Sequence, residues 1–511
     1  MALNDNRLDV AERILKPYLK ADPFDAAAVR MLAELAARIG RIRDAENLLR
    51  RAVELAPGWT APKAHLALVL GRTGRPAEAM ELLEDVFADE PEDLGHWNLK
   101  AATLGRLGDF GEAIAMYEAV LQRAPKQPRV WMSYAHMLKT VGRLDEGIAA
   151  YRKAIDLQPT LGEAWWSLAN LKTVRFEAED VARMEQALEA GGISDDDRCH
   201  LHFALGKAMH DASRTDEAFD HYSRANALRL KMQPYAPKDV RKAVDRSIAA
   251  FTAQAFAERT GGCQSPEPIF IVGMTRAGST LLEQILSSHS LVEGTSELQD
   301  IPLLARREGN YPQSALDLSE EQRRVLGEEY LRRTLVQRRT DKPFFIDKLP
   351  NNWMWVPFIQ LILPNAKIID ARRHPLGCCF SNFRQHFARG QSWTYDLEHL
   401  GRYYSEYVRL MAHVDSVLPG RVHRVIYERM VDDTENEVRR LLDYCGLEFE
   451  PACLEFYKTE RAVRTPSSEQ VRRPIYRDAT EEWRPYEKYL GALKEALGPV
   501  LDAYPDAPAA S

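Results

Sequence analysis

The first chemistry in this chain lies in Gly273-Met274-Thr275-Arg276-Ala277-Gly278-Ser279-Thr280. These residues follow Ile269-Phe270-Ile271-Val272, a short apolar run that reads as a buried parallel strand. They precede Leu281, Leu282, Ile285 and Leu286, spaced as on one face of a helix. A glycine loop between strand and helix aims backbone N–H groups and a helix N-terminus at an anion. A loop built for a nucleoside triphosphate carries a lysine after its last glycine, to reach the β- and γ-phosphates. Here Ser279 stands in that place, and the basic residue, Arg276, lies inside the loop. A cradle without that lysine suits a single 5′-phosphate carrying a sulfate. Taken alone, the loop also fits a degenerate triphosphate site or a chance Gly-rich turn.

Further strand-like runs end in reactive residues. Pro343-Phe344-Phe345-Ile346-Asp347 leads into Lys348-Leu349-Pro350. Lys367-Ile368-Ile369-Asp370-Ala371 leads into Arg372-Arg373-His374-Pro375, with Ser381 eight residues after Arg373, and Val422–Ile426 ends at Tyr427. With these landmarks in order, roughly residues 266–490 resemble the sulfotransferases that use 3′-phosphoadenylyl sulfate (PAPS). Among them the chain is most similar to the tyrosylprotein sulfotransferases and their repeat-fused bacterial relatives. The resemblance implies that Arg276, Ala277, Gly278, Ser279 and Thr280 form the 5′-phosphosulfate loop, and that Arg373 and Ser381 bind the 3′-phosphate. It implies a catalytic carboxylate at Glu297, which lies 21 residues after Arg276, and a catalytic lysine at Lys348. Tyr427 matches a nucleotide contact, and Ser467 and Arg473 match the late Ser-x-x-Gln-Val segment and its basic residue. The chain departs from the family pattern at His374, where Asp is common, and at Gln385, where an arginine falls one position early as Arg384. It departs again at Gln299, which replaces an arginine two residues beyond the carboxylate and bears on recognition of an acidic tyrosine peptide.

The implied chemistry is sulfuryl transfer from PAPS to a hydroxyl, leaving adenosine 3′,5′-bisphosphate. Positioning and electrostatics carry most of such a reaction. Arg276, Lys348 and the loop amides would neutralise the sulfonate and the leaving oxygen, so no metal is required. Glu297 would take the acceptor's proton; against a phenol of pKa ~10, removal must accompany attack, or burial must raise the carboxyl. His289, His374 and His386 are rival bases. Each residue also has a plainer reading: Glu297 as a surface carboxylate, Lys348 as a solvated strand end, Arg373 as half of an ion pair. Likewise Ser381 reads as a cap or core hydroxyl, and Tyr427 as a packing residue.

Those residues need a rigid support, and the chain ahead of them is periodic. Pro23, Pro57, Pro91, Pro125 and Pro159 recur every 34 residues, as do Gly40, Gly74, Gly108 and Gly142. Ala45, Ala79, Ala113 and Gly147 keep the same interval, and so do Trp97, Trp131 and Trp165. A proline where a helix must stop, a glycine in a tight turn and a small residue at a helix crossing describe a helix hairpin. The period resembles the tetratricopeptide repeat. The register weakens after Pro159, and Arg214-Thr215-Asp216-Glu217-Ala218 marks one more turn. The Trp stripe reads as packing between helices, and the repeats as a surface that recruits an acceptor protein or peptide.

The fold expected is therefore multidomain. An all-α tetratricopeptide-repeat solenoid fills 1–230, a connecting helix and linker 231–265, and a three-layer α/β sulfotransferase domain around a parallel sheet 266–500. Helices are expected over 395–415 and 435–445. The net charge of −7 argues against a general nucleic-acid binder. The six cysteines lack metal-ligand spacing, as in a reducing compartment. No secretory leader or membrane-length apolar run is apparent, so the cytoplasm is expected. Oligomeric state and acceptor are left open. The favoured acceptor is a protein tyrosine; a small-molecule, sugar or lipid hydroxyl is the alternative. From other classes come a kinase-like nucleotide enzyme and a repeat adaptor with an inactive nucleotide-binding domain.

Overall fold

The computed structural model describes the chain apart from residues 1, 4–6, 172, 308, 388–389, 460, 462–469, 476–479 and 509–511, and apart from the side chains of 296 and 470. It divides into two compact units, Met1–Ala164 and Trp165–Ser511. Among the described residues no helix is long and apolar enough to cross a membrane.

In the first unit antiparallel helix hairpins follow one another: Thr60–Arg72 with Pro76–Asp89, Leu94–Leu107 with Phe110–Arg123, and Pro128–Val141 with Leu144–Leu157. Gly108 and Gly142 end their helices at φ 98° and 87°, where a side chain would be strained. Ala45, Ala79 and Ala113 are fully buried. At Gly147 a Cβ would already lie 3.5 Å from the Ala135 carbonyl oxygen, so the crossing tolerates only small residues. Trp97 and Trp131 donate Nε1–H to the carbonyls of Pro91 and Pro125, at 2.7 and 2.8 Å. That bond ties each tryptophan to the backbone of the turn that opens its repeat. Trp97 also meets Phe87 of the preceding helix at 6.3 Å between centroids, which is the packing role expected of the stripe. Leu49, Leu66, Leu70 and Leu83, from three successive helices, join one core cluster. No repeat buries its apolar face alone.

The second unit is built on five parallel strands: β1 (Pro268–Gly273), β2 (Val292–Ser296), β3 (Phe344–Asp347), β4 (Lys367–Arg372) and β5 (Val422–Ile426). Their order is β2-β3-β1-β4-β5. Central β1 is buried along its whole length, as expected of a strand covered by helices on both faces. The chain leaves β1 toward β2 and β3, and leaves β4 toward β5 on the other side. This reversal opens a crevice at the carboxyl ends of β1 and β4, the usual ligand position in an open α/β sheet. Helices Leu397–Val417 and Thr434–Cys445 fill the stretches expected to be helical.

The expected solenoid span of 1–230 straddles the division between the units. The hairpin carrying Arg214-Thr215-Asp216-Glu217-Ala218, formed by Asp195–Asp211 and Thr215–Met232, lies in the second unit. Asn226 Nδ2 donates to the Phe383 carbonyl at 2.9 Å, and Phe219 stacks on Tyr489 with centroids 4.2 Å apart. Burial of the hairpin against the sheet-bearing part moves the compact boundary back to Ala164.

Candidate active site

β1 ends at Gly273, where a Cβ would stand 2.4 Å from the Ala371 carbonyl oxygen. Gly273 and Ala371 are register partners, so the segments after β1 and β4 emerge side by side. The chain after β1 turns through Arg276 at φ 65° and Gly278 at φ 96° before helix Ser279–Ser287 begins. A non-glycine residue at positive φ is a local strain of the kind found at ligand sites. A Cβ on Gly278 would come 2.7 Å from Cδ2 of Tyr427, which starts the helix after β5. Ser279 and Thr280 are buried in the first helical turn, whose N–H groups have no intrahelical partner.

Arg373 follows β4 directly, and Ser381 lies on the next helix, Pro375–Phe383. Arg276 Nε donates to Ser381 Oγ at 3.1 Å, and Arg373 Nη1 donates to the Arg276 carbonyl at 3.1 Å. The Arg373 guanidinium stands 5.0 Å from the Tyr427 ring centroid. Arg276, Gly278, Ser279, Thr280, Arg373, Ser381, Tyr427 and Arg473 line one cleft of about 710 Å³, much of it open to solvent. Leu281, Phe456, Val471 and Ile475 supply its apolar wall. Three arginines, hydroxyls and a helix N-terminus facing one apolar-walled cavity suit a ligand with anionic groups on an uncharged body. Ala277 is buried and does not line the cleft. Ser467 lies outside the described residues.

A second pair forms on the same sheet edge. Ser296 and Asp347 are register partners, so Glu297 and Lys348 leave β2 and β3 together. Lys348 Nζ donates to Glu297 Oε1 at 2.7 Å. The lysine side chain is 2% exposed and the glutamate side chain 48%. The pair can therefore supply a sheltered cation beside a carboxylate open to an incoming molecule. Neither residue is part of the cleft lining. Asp347, just before the lysine, accepts from Tyr330 OH at 2.9 Å, and burial pushes its carboxyl well above the usual range.

Sequence reasoning missed two charged residues behind this pair. Glu283, 3% exposed, places Oε2 4.0 Å from Lys348 Nζ, and Arg461 Nη2 lies 2.9 Å from Glu283 Oε1. The available signal was a charge beside Leu282, Ile285 and Leu286 in a helix otherwise buried there. None of the rival bases lines the cleft. His289 is buried with Nε2 2.9 Å from the Glu448 carbonyl oxygen and Nδ1 accepting from the Leu291 N–H at 3.1 Å. His374 stacks on Trp483, and burial lowers its pKa. His386 packs between His200 and Phe203, and burial takes its pKa down to about 2. Gln385 is buried and donates to the His386 carbonyl. Arg384 turns to His210 and Glu482. Glu482 lines the cleft; burial raises its carboxyl, but Arg384 beside it prevails and holds it at about 2. Gln299 sits exposed at the start of helix Asp300–Ala305.

Residues 268–451 match the model of the Sulfotransferase family. Residues 2–58, 40–103 and 98–162 match tetratricopeptide-repeat models. A protein of Aquifex aeolicus (strain VF5), named "Uncharacterized protein", is 33% identical over 334 residues, 62% of this chain and 44% of its own length. The match thus spans less than half of that relative. A Caenorhabditis briggsae protein named "Putative protein-tyrosine sulfotransferase" is 22% identical over 223 residues, 42% of this chain and 80% of that one. The sulfotransferase domain of the Synechococcus PCC 7002 olefin synthase is similar at 24% identity and a TM-score of 0.34, covering 43% of this chain and 88% of that domain.

Proposed function

This chain joins tetratricopeptide repeats to a domain of the sulfotransferase family, and from that premise we propose that it moves the sulfuryl group of PAPS to a tyrosine hydroxyl of an acceptor protein recruited by the repeats. The observation that carries the reading is the meeting of the loop after β1 with Arg373 and Ser381 after β4, Arg276 Nε lying 3.1 Å from Ser381 Oγ. One ligand bearing two separate anions suits that meeting better than a triphosphate, for which the lysine after Gly278 is lacking.

PAPS, when bound, supplies the sulfuryl group and a phosphate oxygen as leaving group. The first turn of helix Ser279–Ser287 and Arg276 hold the 5′-phosphosulfate, and Arg373 with Ser381 holds the 3′-phosphate. Tyr427 and Arg473 flank the nucleotide body. Lys348 neutralises charge on the leaving oxygen as the sulfur–oxygen bond breaks. Glu297 accepts the proton of the acceptor hydroxyl as its oxygen bonds to sulfur, leaving the carboxyl protonated. Support for a protein tyrosine comes from the similarity to the C. briggsae protein so named. Gln299, in place of a basic residue, favours a second reading, a small phenol, sugar or lipid hydroxyl.

The test is incubation of the full chain and of Glu297→Ala with radiolabelled PAPS and a cell lysate. The wild type should label protein, with the label recovered as tyrosine sulfate after alkaline digestion, and the variant should lose at least about 100-fold in rate. Equal labelling by both would remove Glu297 from its role. Label found only in small molecules or lipid would favour the second reading.

A further inference from the structure

Lys348 is held by two carboxylates from different elements. Glu297 approaches from the end of β2 at 2.7 Å and is half exposed; Glu283 approaches from helix Ser279–Ser287 at 4.0 Å and is buried. The two are not equivalent. A base that takes the acceptor's proton becomes neutral during the reaction and ceases to attract the lysine. Only Glu283 keeps its charge throughout.

Glu283 is itself fixed from behind. Arg461 Nη2 lies 2.9 Å from Glu283 Oε1, and Arg461 Nε donates to Gln284 Oε1 at 2.8 Å. Gln284 Nε2 in turn donates to the carbonyls of Phe456 and Thr459, at 3.0 and 3.1 Å. The Arg461 guanidinium fits against β2 because residue 294 is glycine; a Cβ there would stand 2.7 Å from Arg461 Nη1. Two carboxylates are thus gathered around one nearly buried ammonium, with Arg461 behind one of them, and a buried charge so placed is costly unless each member is paired.

Resting on the sulfotransferase reading above, the geometry points to Glu283 as a positioning residue that anchors Lys348 at the reaction centre while Glu297 is protonated, with Arg461 as its counter-charge. The anchor matters when the leaving oxygen gains charge: the lysine must face that oxygen rather than swing toward solvent. Glu283 is not part of the cleft lining, so its loss slows transfer and leaves nucleotide binding intact.

The test uses the full-length protein in three forms: wild type, Glu283→Gln, and Glu283→Leu combined with Arg461→Leu. Transfer of label from radiolabelled PAPS to lysate protein is timed at saturating PAPS. Binding of adenosine 3′,5′-bisphosphate is measured by calorimetry, and thermal melting is recorded. Glu283→Gln should transfer roughly 10- to 100-fold more slowly, the scale expected when a reacting group is misplaced by about 1 Å. Its nucleotide affinity should stay within about twofold. The double variant removes both buried charges together, so its melting temperature should return toward the wild type while its transfer stays slow. A purely structural pair would instead restore rate and stability together, and that result overturns the inference. Wild-type transfer by Glu283→Gln, or nucleotide affinity lost in step with rate, overturns it as well. A wild type that binds no nucleotide and transfers no label removes the sulfotransferase reading first, which separates the two failures.

Discussion

The cleft between β1 and β4 and the charged cluster beyond β2 and β3 share one edge of one sheet, yet they are assembled by different means. The cleft is built mainly from short continuous segments, a loop at positive φ, the helix it opens, and the strand end and helix of 372–383, completed by Tyr427 and by residues between Phe456 and Glu482. Its cohesion is backbone conformation and close approach at Gly273 and Gly278. The cluster has no local sequence. Glu283, Glu297, Lys348 and Arg461 come from four separate places, and strand register with ion pairing brings them together. On the proposed reading, binding rests on backbone geometry together with the side chains of Arg276, Arg373 and Ser381, and bond-making on the charged cluster. Variants of the two should fail in opposite ways.

The sharpest break is Lys348→Met, which keeps the stem and deletes the charge. Transfer should fall on the order of 1000-fold, as when a preorganised charge stabiliser is removed. Affinity for adenosine 3′,5′-bisphosphate should fall far less, by about tenfold at most, because Lys348 would meet only one oxygen of its 5′-phosphate and is not part of the cleft lining. Equal losses in rate and affinity would erase the distinction between the two regions.

The converse break is Gly278→Ala. An alanine at φ 96° is strained, and its Cβ would meet the Tyr427 ring at 2.7 Å. A left-handed residue costs about 1–2 kcal/mol, so nucleotide affinity should weaken roughly tenfold by calorimetry. Transfer at saturating PAPS should stay within about threefold of the wild type, since the charged cluster is untouched. A collapse of the saturated rate would mean that the loop places the reacting atoms and not only the nucleotide.

The same contrast explains what could be read in advance. The basic and hydroxyl side of the cleft was legible because Arg276, Gly278, Ser279, Thr280, Arg373 and Ser381 lie in two compact motifs, 273–280 and 372–381, each adjoining a strand with an apolar pattern. Strands at 269–272, 343–347, 367–371 and 422–426 were recognised for that reason. β2 was not: Val292-Glu293-Gly294-Thr295-Ser296 is short, carries a charge and a glycine, and lies at the sheet edge. Without β2 there is no register to set Glu297 beside Lys348, so each was expected at the site from family position alone and their pairing was not foreseen. Glu283 and Arg461 left no motif, because their contact spans 178 positions of chain. The hairpin turn at 214–218 looks like its predecessors in sequence, and only the contacts of Phe219 with Tyr489 and of Asn226 with Phe383 set it within the second unit.

The smallest effect on transfer is expected at His386, five residues beyond Ser381, which tests where the cleft ends. The ring packs between His200 and Phe203, its Nε2 makes no hydrogen bond, and burial holds its pKa at about 2. His386→Phe keeps the aromatic packing, so transfer should match the wild type within about twofold. Stability should respond instead. A histidine titrating near 6.5 when unfolded and near 2 when folded contributes stability that is fully present above pH 6.5. That contribution drains as pH falls, because the unfolded chain binds the proton and the native one does not; between pH 7 and pH 5 the loss is about 2 kcal/mol. Denaturant unfolding at the two pH values should show the variant losing less than the wild type by about that amount. An unchanged difference would mean that the ring is protonated in the native state. A transfer rate that fell with the substitution would extend the reactive surface past Ser381 and return His386 to the candidate bases.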